Sequence, residues 1–132
     1  MATIVVVEDQ PDSLKLLATL LTLRGHQVVP LASGDGLLEV MRDELSPPDL
    51  VLLDIQLPER DGYALLEDLN ALTGRRRWKV VALTAHAMPA DRDKALAAGF
   101  DGYITKPIDV RAFAGNVASY LEAGPEGPEA PR

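Results

Sequence analysis

The chain contains no cysteine. Disulfides, thiolate nucleophiles and cysteine metal sites are therefore excluded, and a cytoplasmic location fits. Long apolar runs are also missing. Nothing approaches the roughly 20 residues that span a bilayer, and the N-terminus lacks a signal-peptide pattern, so no membrane association is expected. Positive charge is in deficit: Lys and Arg total 13 against 20 Asp and Glu, a formal net charge of −7. Binding nucleic acid requires a surplus of cations to neutralise phosphates, so direct contact with it is not expected. The only basic cluster, Arg75-Arg76-Arg77-Trp78-Lys79, falls between a helix stop and a strand and reads as a solvated loop. What remains is 132 residues, 47% hydrophobic and 25% charged, the size and composition of one ordinary globular domain.

The stretch around which the rest is arranged runs over residues 49–62. Leu50, Val51, Leu52 and Leu53 are apolar without alternation, as in a strand buried on both faces, and the run stops at Asp54. Leu57-Pro58 blocks further strand, and Asp61-Gly62 signals a turn or helix entry. Four more strands are expected, at residues 3–7, 27–31, 79–83 and 101–105. Helical patterns separate them. Pro11 opens the first, Leu14, Leu16, Leu17, Leu20, Leu21 and Leu23 follow, and Arg24-Gly25 closes it with Gly25 at the C′ position. Ser33 or Asp35 caps the second, whose apolar face holds Leu37, Leu38, Val40, Met41 and Leu45. Leu65, Leu66, Leu69 and Leu72 mark the third. The fourth starts at Met88-Pro89 and stops at Gly99; its face is small and alanine-rich, so packing should hold it loosely. Asp109 caps the last, which carries Phe113, Val117, Tyr120 and Leu121. His26, in a helix–strand turn, reads as a surface residue. Residues 1–123 form the domain, and residues 124–132, rich in Pro, Gly and Glu, read as a disordered tail. Five alternations of strand and helix define an α/β protein with a doubly wound (βα)5 parallel sheet, although periodicity does not set the strand order.

In a parallel sheet all strand ends share one edge, where open α/β folds bind ligands. The first strand ends in Glu8-Asp9, the third in Asp54, the fourth in Thr84 and the fifth in Lys106. Each has an ordinary explanation by itself: acids favour the start of a helix, threonine favours strands, and lysine is common on surfaces. Together they place three carboxylates, a hydroxyl and an ammonium on one rim. Carboxylates so close call for a cation or a proton at neutral pH. Oxygen ligands with room for water suit Mg²⁺. A metal-flanked Asp54 can act as nucleophile toward phosphorus, with Lys106 and Thr84 stabilising charge on the phosphoryl oxygens.

On these motifs the chain resembles the receiver domain of two-component response regulators, over nearly its whole length. The resemblance implies a flavodoxin-like fold with strand order 2-1-3-4-5. It implies that Asp54 is the phospho-acceptor, that Glu8, Asp9, Asp54 and the backbone carbonyl of Gln56 hold Mg²⁺, and that Thr84 and Tyr103 are the switch residues. Lys106-Pro107 matches the family's lysine and its usually cis proline, and Gln56 and His86 occupy positions that tune the dephosphorylation rate. The implied function is a phosphorylation-switched module of signal transduction, fed by a histidine kinase or phosphotransfer protein. It is not an enzyme in the usual sense, though it assists its own phosphorylation and dephosphorylation. With no output domain after the last helix, the expected subgroup is the stand-alone receivers of phosphorelays and cell-cycle control. The downstream partner is expected on the helix at 88–98, the fifth strand and the last helix, in a monomer or weak dimer. Two other functions fit these residues less well. A phosphatase with an aspartyl nucleophile wants a second acid two residues after it, where Gln56 stands. A pseudo-receiver that only binds partners fits poorly with a complete acidic set and Lys106.

Overall fold

Alternation of apolar side chains along the strands builds two cores from one sheet. The computed structural model describes residues 2–41, 48–57, 61–73, 79–85 and 88–122. Its elements are β1 (Thr3–Val7), α1 (Pro11–Thr22), β2 (Gln27–Leu31), α2 (Gly34–Met41), β3 (Leu50–Asp54), α3 (Gly62–Thr73), β4 (Lys79–Thr84), α4 (Pro89–Ala98), β5 (Gly102–Thr105) and α5 (Val110–Glu122). The five strands pair in parallel in the order β2-β1-β3-β4-β5.

Ile4 and Val6, Leu50 and Leu52, and Val81 and Leu83 face Leu17 and Leu21 of α1 and Phe113, Val117 and Tyr120 of α5. The intervening Val5 and Val7, Val51 and Leu53, and Val80 and Ala82 face α2, α3 and α4. Every residue of β3 is buried, which explains its unbroken apolar run. Burying one such side chain contributes about 1.5–3 kcal/mol. The outer strand β2 is partly exposed and carries Pro30, a residue suited to sheet edges.

Most boundaries fall where the residues predict, and the exceptions have local causes. The first helix reaches its C-cap at Leu23, and the positive-φ glycine, Gly25 (φ 86°), comes two residues later rather than at C′. Between them Arg24 N–H donates to Leu21 O (3.1 Å) and Gly25 N–H to Thr22 O (2.9 Å), a tighter turn that delays the reversal. The fifth strand begins at Gly102, because the Asp101 side chain accepts the Val80 N–H (2.8 Å) just before it. His26 is half-buried rather than a plain surface residue, its Nδ1 accepting the Ala2 N–H at 3.2 Å. The cap expected at Asp109 is present, Oδ1 accepting Arg111 N–H at 3.0 Å. The start of α2 at Gly34 leaves Ser33 directly before it.

Among the helices, α4 has the thinnest hydrophobic attachment. Ala95 is its one buried residue, as its alanine-rich face suggested. At the far edge Tyr120 lies over Gly102, its ring filling the place a β-carbon would take there. Leu45, the basic loop around Arg76 and the tail at 124–132 lie outside the described residues.

Candidate functional site

The sheet register brings the ends of β1, β3, β4 and β5 to one rim. Val7 pairs with Leu53, so Glu8 and Asp54 leave adjacent strands side by side. Asp54 pairs with Leu83, and Thr84 with Thr105, which sets Lys106 one residue beyond the rim. Glu8 is fully buried, Asp54 and Thr84 are each 2% exposed, and Asp9 is half-buried. Lys106 turns back over them across a cis bond to Pro107. Its Nζ lies 2.5 Å from Glu8 Oε1 and 2.8 Å from Asp54 Oδ2.

Buried carboxylates need a cation or a proton, and this site supplies both. Lys106 is the cation. Glu8 is the carboxyl that holds a proton more readily: burial first, and then the hydrogen bond it shares with Asp54, push it from 4.5 up to about 7, against the opposing pull of Lys106. Burial by itself would raise Asp54 too. Hydrogen bonds from Glu8, from Lys106 and from the Gln56 backbone amide (2.8 Å to Oδ1) outweigh it and hold Asp54 below the usual carboxylate range. Burial likewise disfavours the Lys106 ammonium, but its two carboxylate partners more than compensate and its pKa rises. Asp54 is thus the carboxylate kept ionised at the centre of the rim.

Glu8, Asp9 and Asp54 each offer an oxygen within 4.8 Å of the others. Such a cluster can hold a hard divalent cation, whose remaining positions water and a backbone carbonyl can fill.

The other expected site residues take distinct places. Thr84 ends β4 beside Lys106, whose N–H donates to the Thr84 carbonyl at 2.7 Å. Gln56 is exposed on the loop after Asp54, and its side-chain oxygen accepts the Ala85 N–H at 3.3 Å, linking the two loops across the rim. That loop is pinned from below: Gly62 packs on the Ile55 backbone where no β-carbon would fit. Tyr103 is not on the rim. It lies half-buried on β5, beside Ala82, with the Arg92 guanidinium 5.8 Å over its ring. His86 lies outside the described residues. Sequence reasoning missed Arg92 and Lys94, because a run of alternating charges on a helix has the signature of a solvated face.

A doubly wound five-stranded sheet with this rim defines a phospho-receiver type of α/β protein, and comparison with known proteins agrees. The model of the response regulator receiver domain family matches residues 4–118. The chain is 39% identical to the signal transduction histidine-protein kinase BarA of Shigella flexneri over 107 residues, covering 81% of this chain and 11% of BarA. It is 35% identical to the polar-differentiation response regulator DivK of Brucella ovis over 119 residues, covering 90% of this chain and 95% of DivK. The crystal structure of a CheY-like receiver domain protein from Methanospirillum hungatei superposes with a TM-score of 0.79 at 28% identity, covering 92% and 94% of the two chains. The chain belongs to the response regulator receiver family, the phosphorylation-switched modules of two-component signal transduction. Among the described residues no helix is long and apolar enough to cross a membrane.

Proposed function

We propose that Asp54 accepts a phosphoryl group from a histidine kinase or phosphotransfer protein in a Mg²⁺-dependent reaction, and that the modified chain changes its protein partners. The observation that carries this reading is the ionised Asp54 carboxylate, 2.8 Å from the Lys106 ammonium and grouped with Glu8 and Asp9. An Asp54 oxygen attacks phosphorus; the P–O bond forms as the donor's P–N bond breaks, and the imidazole leaves with the electron pair and takes up a proton. Lys106 neutralises charge gathering on the phosphoryl oxygens, and the Thr84 hydroxyl donates to one of them.

The donor set fits Mg²⁺. Glu8, Asp9 and Asp54 offer carboxylate oxygens within 4.8 Å of one another, the kind of oxygen donors this ion prefers. Glu8, Asp9, Asp54 and the Gln56 carbonyl would hold the ion, which supplies further neutralisation of the phosphoryl group. Once phosphorylated, Asp54 carries new acceptor oxygens toward which Thr84 can move, and Tyr103 can follow into the space behind it. α4, β5 and α5 form the surface that changes partners, because α4 is the least firmly packed helix. Residues 1–123 are the functional unit in this reading, with Gln56 and His86 tuning the phosphoryl lifetime.

Incubation of the purified chain with acetyl phosphate and Mg²⁺ should add one phosphate by mass spectrometry, mapped to Asp54. Chelator and Asp54→Ala should each abolish it. Labelling that survives either treatment would overturn the assignment.

A further inference from the structure

A pocket of about 250 Å³ opens between α3 and α4, beside the loop that follows Asp54, and is lined by Ile55, Gln56, Asp61, Tyr63, Asp91 and Lys94. Its aromatic wall is supported from behind. The Tyr63 ring meets the buried Phe100 edge-on, with centroids 5.6 Å apart and planes at 81°, and the Tyr63 N–H donates to Asp61 Oδ1 at 2.8 Å. Two carboxylates act on that ring: burial first, and then the charges of Asp61 and Asp91, raise the Tyr63 phenol above its ordinary pKa. An aromatic face with carboxylates beside it attracts a cation. The molecule supplies one itself, since Lys94 Nζ lies 4.8 Å over the Tyr63 centroid. Lys94 is exposed, and its flexible four-carbon stem lets the ammonium withdraw without disturbing the helix.

Volume and charge narrow what else can enter. Small-molecule sites run to about 300–1,000 Å³, so this cavity is the size for a single side chain rather than a cofactor. The net charge of −7 draws cationic partners. We propose that the pocket receives an arginine side chain presented by a protein partner, which takes the place of Lys94 on the Tyr63 ring. A planar guanidinium stacks on an aromatic face and forks onto a carboxylate, a combination for which it is better shaped than an ammonium. Lys94 is the internal competitor that the partner displaces. The arriving segment then lies against Ile55 and Gln56, the two residues that follow Asp54. This goes beyond the proposed phosphoryl transfer, which uses neither Tyr63 nor Lys94.

The test titrates the capped tripeptide acetyl-Gly-Arg-Gly-amide into the full chain, followed by NMR at the Tyr63 ring and the Ile55 and Gln56 amides, with no Mg²⁺ or phosphoryl donor present. Saturable shifts at these three residues are expected. Lys94→Ala removes the competitor and should bind the peptide about two- to fivefold more tightly. Asp91→Asn keeps the shape of the pocket and should weaken binding about two- to fivefold. In a Tyr63→Leu background Lys94→Ala should bring no gain. The citrulline analogue of the peptide, which has the length but not the charge, should give no saturable shift. Shifts that spread over the acidic surface without saturating, equal binding of the citrulline analogue, or unchanged or weaker binding in Lys94→Ala each overturn the proposal. So does undiminished binding in Asp91→Asn. Labelling at Asp54 is measured separately, so failure of the pocket leaves the phospho-acceptor reading standing.

Discussion

Replacing Glu8 with Gln should flatten the pH dependence of stability in the metal-free protein. Glu8 is fully buried, and its carboxyl rises from 4.5 in the unfolded chain to about 7 in the fold. Between those values the folded state binds more protons than the unfolded one, so stability falls as pH rises through this window. The gap from 4.5 to about 7, at about 1.4 kcal/mol per tenfold change in proton affinity, makes a loss of about 3 kcal/mol. It is absent below pH 4.5 and complete above pH 7. Asp54 acts in the opposite sense: its pKa is lowered from 3.8, so its contribution is present above that value and lost as pH falls below it. The wild type should therefore be most stable near the lower end of the Glu8 window. The side-chain amide introduced by Glu8→Gln keeps an oxygen for Lys106 but has no proton to lose, so this variant should hold its stability up to neutral pH. The assay is urea unfolding of both proteins from pH 4 to pH 8 at constant ionic strength with chelator present. Curves for wild type and Glu8→Gln that run parallel across the window would show that Glu8 ionises freely in the fold, and the account of the shared proton would be refuted.

Two substitutions test the supporting framework. Gly102→Ala drives a β-carbon into the Tyr120 ring and should cost about 1–3 kcal/mol by thermal melting, as overpacking does; a change within a few tenths would mean that Tyr120 swings aside freely. Asp109→Ala removes the Oδ1 acceptor of the Arg111 and Ala112 amides and should cost about 1 kcal/mol, with Asp109→Asn restoring most of it; an equal loss in both would assign the effect to charge rather than to the cap.

The parts of the molecule legible in the residues are those decided locally. The unbroken run from Leu50 to Leu53 announced a strand buried on both faces, and β3 is buried throughout. Pro11 and Pro89 stand in the first turns of α1 and α4, and Gly99 takes the left-handed conformation (φ 112°) that ends α4. The rim was also legible in part, because a parallel sheet carries its strand ends to one edge, but that Glu8 and Asp54 lie side by side under Lys106 depends on β1 pairing with β3. The order itself was not, since periodicity reports which faces are buried and not which strand lies beside which; the family resemblance supplied it. Neither was the role of Lys79. It reads as the first residue of a strand, yet it is only 8% exposed, its Nζ donating to the Tyr120 carbonyl at 2.5 Å. Burial lowers its pKa against the pull of Asp101. That contact joins residues 41 positions apart, beyond any local pattern.

The same sheet separates the fixed part of the receiver from the part able to move. Leu17 and Leu21 of α1 and Phe113 and Val117 of α5 are buried against one face, so displacing either helix would expose several large side chains, each worth about 1.5–3 kcal/mol. Moving α4 on the opposite face exposes little more than Ala95, and its cation–π contacts are each worth about 0.5–1 kcal/mol at an exposed site. A free-energy change confined to the rim therefore meets its smallest resistance at α4. Between them stands Tyr103, on the strand next to β4, whose last residue is Thr84. In the function proposed above Thr84 and Tyr103 are the switch residues, and the Arg92 guanidinium of α4 lies 5.8 Å over the Tyr103 ring. Coupling over this distance needs no long pathway, only one strand, one ring and one weakly held helix.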